Sequence, residues 1–400
     1  MSETGTLYFV VQTRMHRDSE GRVRADFGYA RYEAWMPYLA AVGRVIILSR
    51  VSPVISDTGA LVEGPGVSVM PVPFYHGPLD FARKAGTIRR FLARELSDTS
   101  ALYGGRIPNV LAALVQQRAR KIGAVFIAQM VGDPEDVLAS GVVGRVGRIM
   151  ARIARRTVAR QVARADAVIY VTRETLQRKY PAGDKVPTLV RSNVELSPDS
   201  FEPVPRDYTD TTRGRSPVRL VAAGSHEQRY KGHHTLIDAV GLLKAQGVDV
   251  EATIIGDGRF HEELVERAHQ QGVGDVVEFA GHLSGADLVR EQILRADIFV
   301  MPSLTEGLPR ALIEAMATGT VSIGSRVGGI PELLSEDALF DAGSADQLAA
   351  TLRRLIEDPE LMTTLSRRQW NEAQLISRSF SGTDILATFL RQLKNPAGEH

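Results

Sequence analysis

Short, fully apolar segments alternate with helical patterns along most of this 400-residue chain. In the first half the apolar segments occupy residues 7–11, 45–48, 124–128 and 167–171. In the second half they occupy 218–222, 251–255, 276–279, 298–301 and 321–323, with helical patterns at 235–244, 261–270, 286–295 and 310–317. Strands that are apolar on both faces and alternate with helices are typical of parallel sheets covered on both sides. The pattern therefore predicts an α/β protein of the doubly wound kind.

A proline-rich stretch interrupts this alternation between residues 192 and 217. The charge also changes sign there, because residues 1–200 hold 28 basic and 18 acidic side chains whereas residues 201–400 hold 20 and 29. We therefore expect a Rossmann-like domain at 1–198, a linker at 199–217 and a second Rossmann-like domain at 218–378, facing each other across a cleft. Ligands of such sheets bind outside the carboxyl ends of the strands, so the strand-to-loop junctions are the places to search.

Several classes of protein are excluded by composition. The chain has no cysteine, which excludes disulfides, cysteine-ligated metals and thiol nucleophiles. No stretch of about 20 residues is apolar enough to span a bilayer, and no basic region precedes the first apolar run, so we expect a cytoplasmic protein. There is no Asp-x-Asp pair, no supported histidine metal pair, no P-loop and no Gly-x-Ser-x-Gly elbow. We expect neither a metal nor a cofactor.

One strand-to-loop junction, MPSLTEGLPRALIEAMA, carries two carboxylates. Glu306 lies on the loop, Pro309 suits the first position of a helix, and Glu314 lies within that helix. The amides of Gly307 and Leu308 lie at the positive end of the helix, where a phosphate can bind. Carboxylates on either side of such a site can accept hydrogen bonds from sugar hydroxyls. Alternatively, both are solvated surface carboxylates.

Two further junctions have the same position relative to a strand. In GSHEQRYKG, Lys231 precedes Gly232 and a new helix, where an ammonium can contact a diphosphate, although a polar turn is the alternative. In the third junction Gly256 allows a close backbone approach, and Asp257 fits equally well as the N-cap of the next helix. His261 occupies the place of the third glycine of a dinucleotide fingerprint, which is therefore absent.

In their order and spacing, these three junctions resemble family 4 glycosyltransferases of the GT-B fold, over most of the second half of the chain. Glu306 and Glu314 match the E-x7-E motif of that family. The resemblance implies that Glu314 holds the ribose of a nucleotide and that Glu306 binds hydroxyls of the transferred sugar. It also implies that Lys231 and the amides of Gly307 and Leu308 hold the diphosphate.

The resemblance extends to the nucleotide base and to the end of the chain. It implies that the backbone of residues 281–283 contacts the base and that a final helix within 379–400 returns to the first domain. Where many relatives carry an arginine after the first glycine, this chain has a serine. The further donor-site candidates are thus Ser225, Arg229, Gly256, Gly281, His282 and Leu283.

The first half matches the family less closely. Gly28 stands where many relatives have a glycine pair, and the region around Asp133 lacks a histidine that is often found there. Asp133 is either a catalytic-site residue that contacts the sugar or the acceptor, or a turn former before Pro134.

An arginine-rich segment at 142–164 predicts an amphipathic helix. Its apolar residues, Met150 and Ile153 among them, are expected to pack on the domain's own sheet. The opposite face is either solvated or lies against an anionic membrane on the inner side of the cell. That face carries Arg145, Arg148, Arg152, Arg155, Arg156, Arg160 and Arg164.

The function predicted from these features is a retaining, metal-independent hexosyltransferase of polysaccharide or glycolipid biosynthesis. It moves a hexose from a nucleotide-diphosphate sugar, a UDP-sugar by default and GDP-mannose as the alternative, to a hydroxyl of a sugar, lipid-linked or small-molecule acceptor. No side chain stands out as a general base, so the leaving diphosphate is the expected proton acceptor. A non-hydrolysing sugar-nucleotide epimerase and a catalytically silent nucleotide-sugar binder are the alternatives. Nucleic-acid binding is not expected, since no recognisable reading module is present.

Overall fold

The computed structural model describes residues 5–13, 15–26, 30–134, 144–194, 196–209, 216–283, 285–380 and 383–394. These residues form two compact units. Unit 1 contains the described residues of 1–132, 156–193 and 382–400, and unit 2 contains those of 133–155 and 194–381.

Strands and helices alternate in both units. The strands are β1 (Gly5–Val10), β2 (Met15–Arg17), β3 (Val23–Ala25), β4 (Gly43–Ser49), β5 (Val51–Ile55), β6 (Ala60–Leu61), β7 (Val67–Pro71), β8 (Leu102–Ile107), β9 (Phe126–Met130), β10 (Ala167–Tyr170), β11 (Thr188–Val190), β12 (Val218–Ala223), β13 (Val250–Ile255), β14 (Val277–Gly281), β15 (Ile298–Met301), β16 (Val321–Ser325) and β17 (Leu339–Phe340). The helices are α1 (Met36–Val42), α2 (Gly77–Glu95), α3 (Val110–Ile122), α4 (Gly144–Ala163), α5 (Thr175–Lys179), α6 (His233–Ala245), α7 (His261–Gln270), α8 (Ala286–Arg295), α9 (Arg310–Ala317), α10 (Ala345–Glu357), α11 (Pro359–Phe380) and α12 (Thr383–Lys394). The α/β class predicted from the apolar segments is confirmed.

The main sheet of unit 1 has seven parallel strands in the order β7-β4-β1-β8-β9-β10-β11. The chain builds outward from β1 first on one side and then on the other, which is the Rossmann order. Leu7 and Ile47 lie in its core with no exposed surface. Leu386 and Phe389 of α12 belong to the same core.

A second, four-stranded sheet of order β5-β2-β3-β6 adjoins this one in unit 1. Its strands are only two to five residues long, and the sequence pattern did not predict them. Asp18 stabilises the β2–β3 turn by accepting hydrogen bonds from Arg22 and Arg24, each at 2.9 Å. Burial alone would raise the pKa of Asp18, but these bonds lower it to about 2.

Unit 2 contains a six-stranded parallel sheet of order β14-β13-β12-β15-β16-β17. The direction of strand addition reverses between β12 and β15, which pair in register at Leu220 and Ile298. The carboxyl ends of β12 and β15 therefore lie side by side, at the point where doubly wound sheets bind ligands. The strands and helices predicted for the second half are confirmed to within two residues at their ends.

The described part of the segment expected to be a linker packs on unit 2. Tyr208 is buried, and its hydroxyl donates to the carbonyl of Asp297 and accepts from the amide of Val321, both at 2.9 Å. Burial raises the pKa of this phenol. The prolines of the segment prevent regular structure, yet side chains such as Tyr208 fix its path.

Helix α4 differs from its prediction in which residues it buries. Ala151, Val158 and Val162 are buried, whereas Met150 and Ile153 are 46% and 58% exposed. At about 100° per residue, the three buried side chains lie within a narrow stripe, whereas Ile153 lies across the helix from it and Met150 lies to one side. The expectation that Met150 and Ile153 pack on the sheet is therefore wrong.

No helix in the described ranges has the length and apolar composition needed to cross a membrane.

Candidate active site

Two loops of unit 2 meet where β12 and β15 end. Residues 224–232 follow β12, and residues 302–309 follow β15. Their backbones are in contact, since the amide of Leu304 donates to the carbonyl of Tyr230 at 2.7 Å. Gly232 has φ +72°, and a Cβ there would lie 1.8 Å from the carbonyl oxygen of Pro302. This position therefore requires glycine.

The contact between the loops brings Lys231 and Glu306 together. The Lys231 ammonium donates to Oε1 of Glu306 at 2.7 Å, and the hydroxyl of buried Ser303 donates to the same oxygen at 2.7 Å. The side chains of Lys231 and Glu306 are 22% and 10% exposed. Because both side chains are mostly buried and bonded to each other, this cation and carboxylate form a fixed polar site at the ends of β12 and β15.

The charge of Lys231 is maintained despite its burial. Burial by itself would lower the pKa of this ammonium, but the Glu306 carboxylate and the Tyr230 ring outweigh it, so the pKa is raised. The ammonium lies 5.3 Å from the centroid of the Tyr230 ring. Lys231 is therefore protonated at physiological pH and able to neutralise an anion.

Helix α9 starts immediately after the Glu306 loop. Pro309 is its N-cap, one position before the first helical position predicted for it. The amides of Gly307 and Leu308 have no hydrogen-bond acceptor among the described residues. They lie beside the positive end of the helix, where an anion is stabilised.

Glu314 lies one turn along α9, half-buried. Its Oε1 accepts from Nε of Arg310 at 2.7 Å. Glu314 also lines a small cavity of about 90 Å³ with residues of α8 and of the 197–200 segment. Glu306 and Glu314 are thus positioned by different elements, the first by its loop and the second by the helix.

Three histidines pack against one another, one in the 224–232 loop and two at the starts of α6 and α7. Nδ1 of His226 lies 3.3 Å from Nδ1 of His261, and the rings of His226 and His233 are in edge contact at 5.0 Å. Nε2 of His233 donates to the carbonyl of Gly224 at 3.2 Å. Burial is the main cause that lowers the pKa of His226, and the neighbouring His261 lowers it further. Burial, followed by the neighbouring His226, lowers the pKa of His233 to about 3.

The third predicted junction is in contact with the first. Gly256 has φ +147°, and a Cβ there would lie 1.9 Å from the carbonyl oxygen of Gly224, so the close backbone approach is to this loop. Asp257 accepts from the amide of Gly258 at 2.7 Å. Phe260, rather than Asp257, is the N-cap of α7, because the chain makes an extra turn at 258–260 before the helix begins. The capping alternative for Asp257 is therefore wrong.

The remaining donor-site candidates lie at the surface of unit 2. Arg229 forms an exposed ion pair with Glu263 and lies 4.4 Å from the centroid of the Phe260 ring. Ser225 is exposed and accepts from the amide of Glu227 at 3.2 Å. Arg229 and Ser225 thus bond to residues other than Lys231 and Glu306.

Gly281 is the last residue of β14, and His282 and Leu283 follow the strand. Gly281 has φ +66°, His282 is exposed and Leu283 is half-buried. Asp133 is buried and lies three residues after the end of β9. Gly28 lies outside the described residues.

Sequence reasoning missed Ser303 and the packing of the three histidines. A polar residue directly after an apolar strand was the available signal for Ser303. No periodic pattern connects His226, His233 and His261, which meet only because their loops adjoin. Among the described residues, no group of three or more acidic or histidine side chains is arranged to hold a metal ion.

The second half of the chain is similar to known glycosyltransferases. Residues 218–372 match the family model described as "Glycosyl transferases group 1". The GDP-mannose-dependent alpha-(1-6)-phosphatidylinositol monomannoside mannosyltransferase of Mycobacterium tuberculosis is 28% identical over 303 residues, which cover 72% of this chain and 74% of the relative.

Two solved structures are similar over nearly the whole chain. Sucrose-phosphate synthase from Thermosynechococcus elongatus has a TM-score of 0.68 at 17% identity, covering 98% of both chains. Anabaena Alr3699/HepE, solved in complex with UDP-glucose, has a TM-score of 0.63 at 18% identity, covering 97% of this chain and 98% of the other. At such identities the likeness shows the fold. Residues 218–372 are thus similar to the group 1 glycosyltransferases, and the chain has the two Rossmann-like domains of the GT-B fold.

Proposed function

We propose that this glycosyltransferase moves a hexose, with retention of configuration, from a nucleotide-diphosphate sugar to an acceptor hydroxyl in polysaccharide or glycolipid biosynthesis. The observation that carries the proposal is the 2.7 Å pair of Lys231 and Glu306 beside the amides of Gly307 and Leu308. An ammonium and unused amides suit a diphosphate, and a carboxylate suits sugar hydroxyls.

In the proposed reaction, the bond between the anomeric carbon and the diphosphate oxygen breaks while the acceptor oxygen bonds to the same face of that carbon. The acceptor proton passes to the leaving diphosphate. Lys231 and the two amides stabilise the negative charge that develops on the diphosphate, which is the role of a preorganised anion site. This neutralisation by the protein's own groups supports a reaction that needs no metal.

Glu306 and Glu314 divide the donor between them in this proposal. Glu306, fixed by Lys231 and Ser303, accepts hydrogen bonds from the transferred sugar. Glu314 accepts from the ribose, and the backbone of residues 281–283 contacts the base. Arg229 would have to leave Glu263 to reach a phosphate, so we assign Lys231 the larger share of the charge.

A UDP-sugar and GDP-mannose are the two proposed donors. The mannosyltransferase relative is named for GDP-mannose, and HepE was solved with UDP-glucose. A thermal-shift panel of UDP, GDP, ADP and TDP separates them, since ligand at about 100 times its Kd stabilises by roughly 2.7 kcal/mol.

We also propose peripheral attachment to an anionic membrane through α4. Ile149, Met150 and Ile153 are exposed on this helix, beside the exposed Arg152 and Arg156. Exposed apolar side chains among arginines suit insertion at a lipid interface, where each basic residue contributes about 1 kcal/mol. The arrangement would bring the enzyme to a lipid-linked acceptor.

Liposome sedimentation tests the attachment. Binding should rise with anionic lipid, fall with salt and be lost when Arg152, Arg156 and Arg160 are changed to glutamate. The matched control changes three exposed arginines of α2 to glutamate, namely Arg83, Arg89 and Arg90. Equal loss in both variants would show non-specific charge attraction and sink the proposal for α4.

Activity is tested by nucleotide release from each donor, with and without acceptors. Acceptor-dependent release with an α-linked product from an α-linked donor supports the proposal. An epimerised nucleotide sugar formed without acceptor, or binding with no turnover across the acceptor screen, contradicts it.

A further inference from the structure

A cavity of about 500 Å³ opens in unit 1 where three neighbouring strands end. Thr13 follows β1, Arg50 follows β4 and Phe74 follows β7, and all three line the cavity. Ser52 and Val54 of the small sheet form another wall. The volume lies within the roughly 300 to 1,000 Å³ of small-molecule sites, and the carboxyl ends of the strands are where such sites form.

Arg50 supplies a positioned positive charge at this cavity. Its guanidinium lies 4.6 Å from the centroid of the Tyr75 ring, and one terminal nitrogen donates to the carbonyl of Tyr75 at 3.1 Å. Burial raises the pKa of Tyr75 although Arg50 opposes the shift, so the phenol stays neutral and leaves the guanidinium charge uncompensated. No carboxylate forms an ion pair with Arg50 among the residues that the structure describes.

The only carboxylate that lines the cavity within the described ranges lies beside a histidine. Oδ1 of Asp26 lies 3.3 Å from Nδ1 of His16. Nε2 of His16 donates to the carbonyl of Thr58 at 2.9 Å, which fixes the buried ring. Asp26 is 40% exposed and retains an oxygen for a hydroxyl donor.

Thr13 lies in the wall of the cavity, but its hydroxyl has almost no accessible surface. A ligand in the cavity therefore does not reach this hydroxyl, and its polar contacts are left to Arg50 and Asp26. Phe74 and Val54 add apolar surface beside these polar groups.

We infer that this cavity binds the acceptor, and that the acceptor is a sugar carrying a carboxylate or phosphate that contacts Arg50. The inference rests on the proposed glycosyl transfer and specifies its acceptor. A neutral sugar would leave the guanidinium without a counter-charge, and a small inorganic anion would use neither Asp26 nor the apolar wall. An anionic sugar satisfies all three features, since its charged group can form a paired contact with a guanidinium while its hydroxyls donate to Asp26.

Calorimetry on the full chain without nucleotide tests the inference with four probes: glucuronate, glucose 6-phosphate, glucose and inorganic phosphate. We expect at least one of the two anionic sugars to bind about tenfold or more tightly than glucose, and more tightly than phosphate. The two anionic sugars distinguish a carboxylate from a phosphate. Failure of both to bind, equal binding of glucose, or equal binding of inorganic phosphate overturns the inference.

Variants locate the binding. Arg50→Met should remove the preference for the anionic sugar, with a loss of about ten- to a hundredfold, whereas Arg90→Met, at an exposed arginine of α2, should retain it. Thermal unfolding checks that each variant is folded. Donor binding by unit 2 is measured separately, so a chain that binds donor but no anionic sugar refutes this inference alone, and one that binds the sugar but never turns over donor refutes the proposed function.

Discussion

Acidification should destabilise unit 2 through His233, the first residue of α6. Its side chain is 4% exposed, and its neighbours are His226, His234 and Lys231, none of which favours an added positive charge. Burial is the largest cause that lowers the pKa of His233, from 6.5 to about 3. Between these two values the unfolded chain binds a proton that the native protein does not.

The sign and size of the effect follow from this difference. Because the native pKa lies below the unfolded one, the contribution of neutral His233 is fully present above pH 6.5 and is lost as the pH falls. Each pH unit below the unfolded pKa costs about 1.4 kcal/mol. From pH 7 to pH 4.5 the free energy of unfolding should therefore drop by about 2.5 kcal/mol through His233 alone.

Comparison with His233→Asn isolates the contribution of His233 to the free energy of unfolding, because the asparagine side-chain amide can still donate to the carbonyl of Gly224. The chain has two tryptophans, Trp35 in unit 1 and Trp370 in unit 2, so urea unfolding in a Trp35→Phe background reports on unit 2. The wild-type stability relative to the variant should fall by about 2.5 kcal/mol between pH 7 and pH 4.5.

The control is Leu236→Ala, in the core of the same helix. It should cost about 2 to 5 kcal/mol by a similar amount at both pH values, because it removes packing and no titrating group. A difference between wild type and His233→Asn that stays constant with pH would show that His233 is not held neutral by burial, and the argument would fail.

The remaining predictions concern the donor site. Lys231→Met should lower turnover on the order of a hundredfold, measured as nucleotide release, because it removes the positive charge that would neutralise the diphosphate. Glu306→Gln should lower turnover while calorimetry shows no loss of affinity for free nucleotide. Glu314→Ala should weaken nucleotide binding about ten- to a hundredfold, whereas Glu357→Ala, in a similar exposed pair, should not. Gly232→Ala should displace the loop and lower turnover in a protein that still binds the base. Chelation with EDTA should leave turnover unchanged, and a loss restored by a divalent cation would contradict the metal-free proposal.

Local patterns were sufficient to predict the parallel strands of unit 2. Segments such as 251–255 and 298–301 are apolar on both faces, so burial between helices is their only stable arrangement. The ends of these strands also gave the loops of the candidate site. The same reasoning failed for β2, β3, β5 and β6, because strands of two to five residues carry too little alternation to be recognised.

No local pattern in the sequence predicts the direct contact between Lys231 and Glu306. Lys231 and Glu306 are 75 positions apart, and neither residue signals the other. Their loops meet because β12 pairs with β15, a choice of strand order that no local pattern encodes. For α4 the amphipathic helix and the burial of Val158 agree with the sequence pattern, but Met150 and Ile153 were wrongly assigned to the buried stripe, since both faces of the helix carry apolar residues.

The ion pair of Lys231 and Glu306 has a consequence for how the donor enters. The ammonium contacts the carboxylate at 2.7 Å and lies 5.3 Å from the centroid of the Tyr230 ring. If these loops hold the donor as proposed, an arriving diphosphate competes with Glu306 for Lys231, and the carboxylate it releases becomes free to accept hydrogen bonds from the sugar. A free nucleotide displaces the ammonium without giving Glu306 a new partner, whereas the full nucleotide sugar replaces both contacts. The pair thus favours the complete donor over the product nucleotide, and Glu306→Gln should reduce that preference.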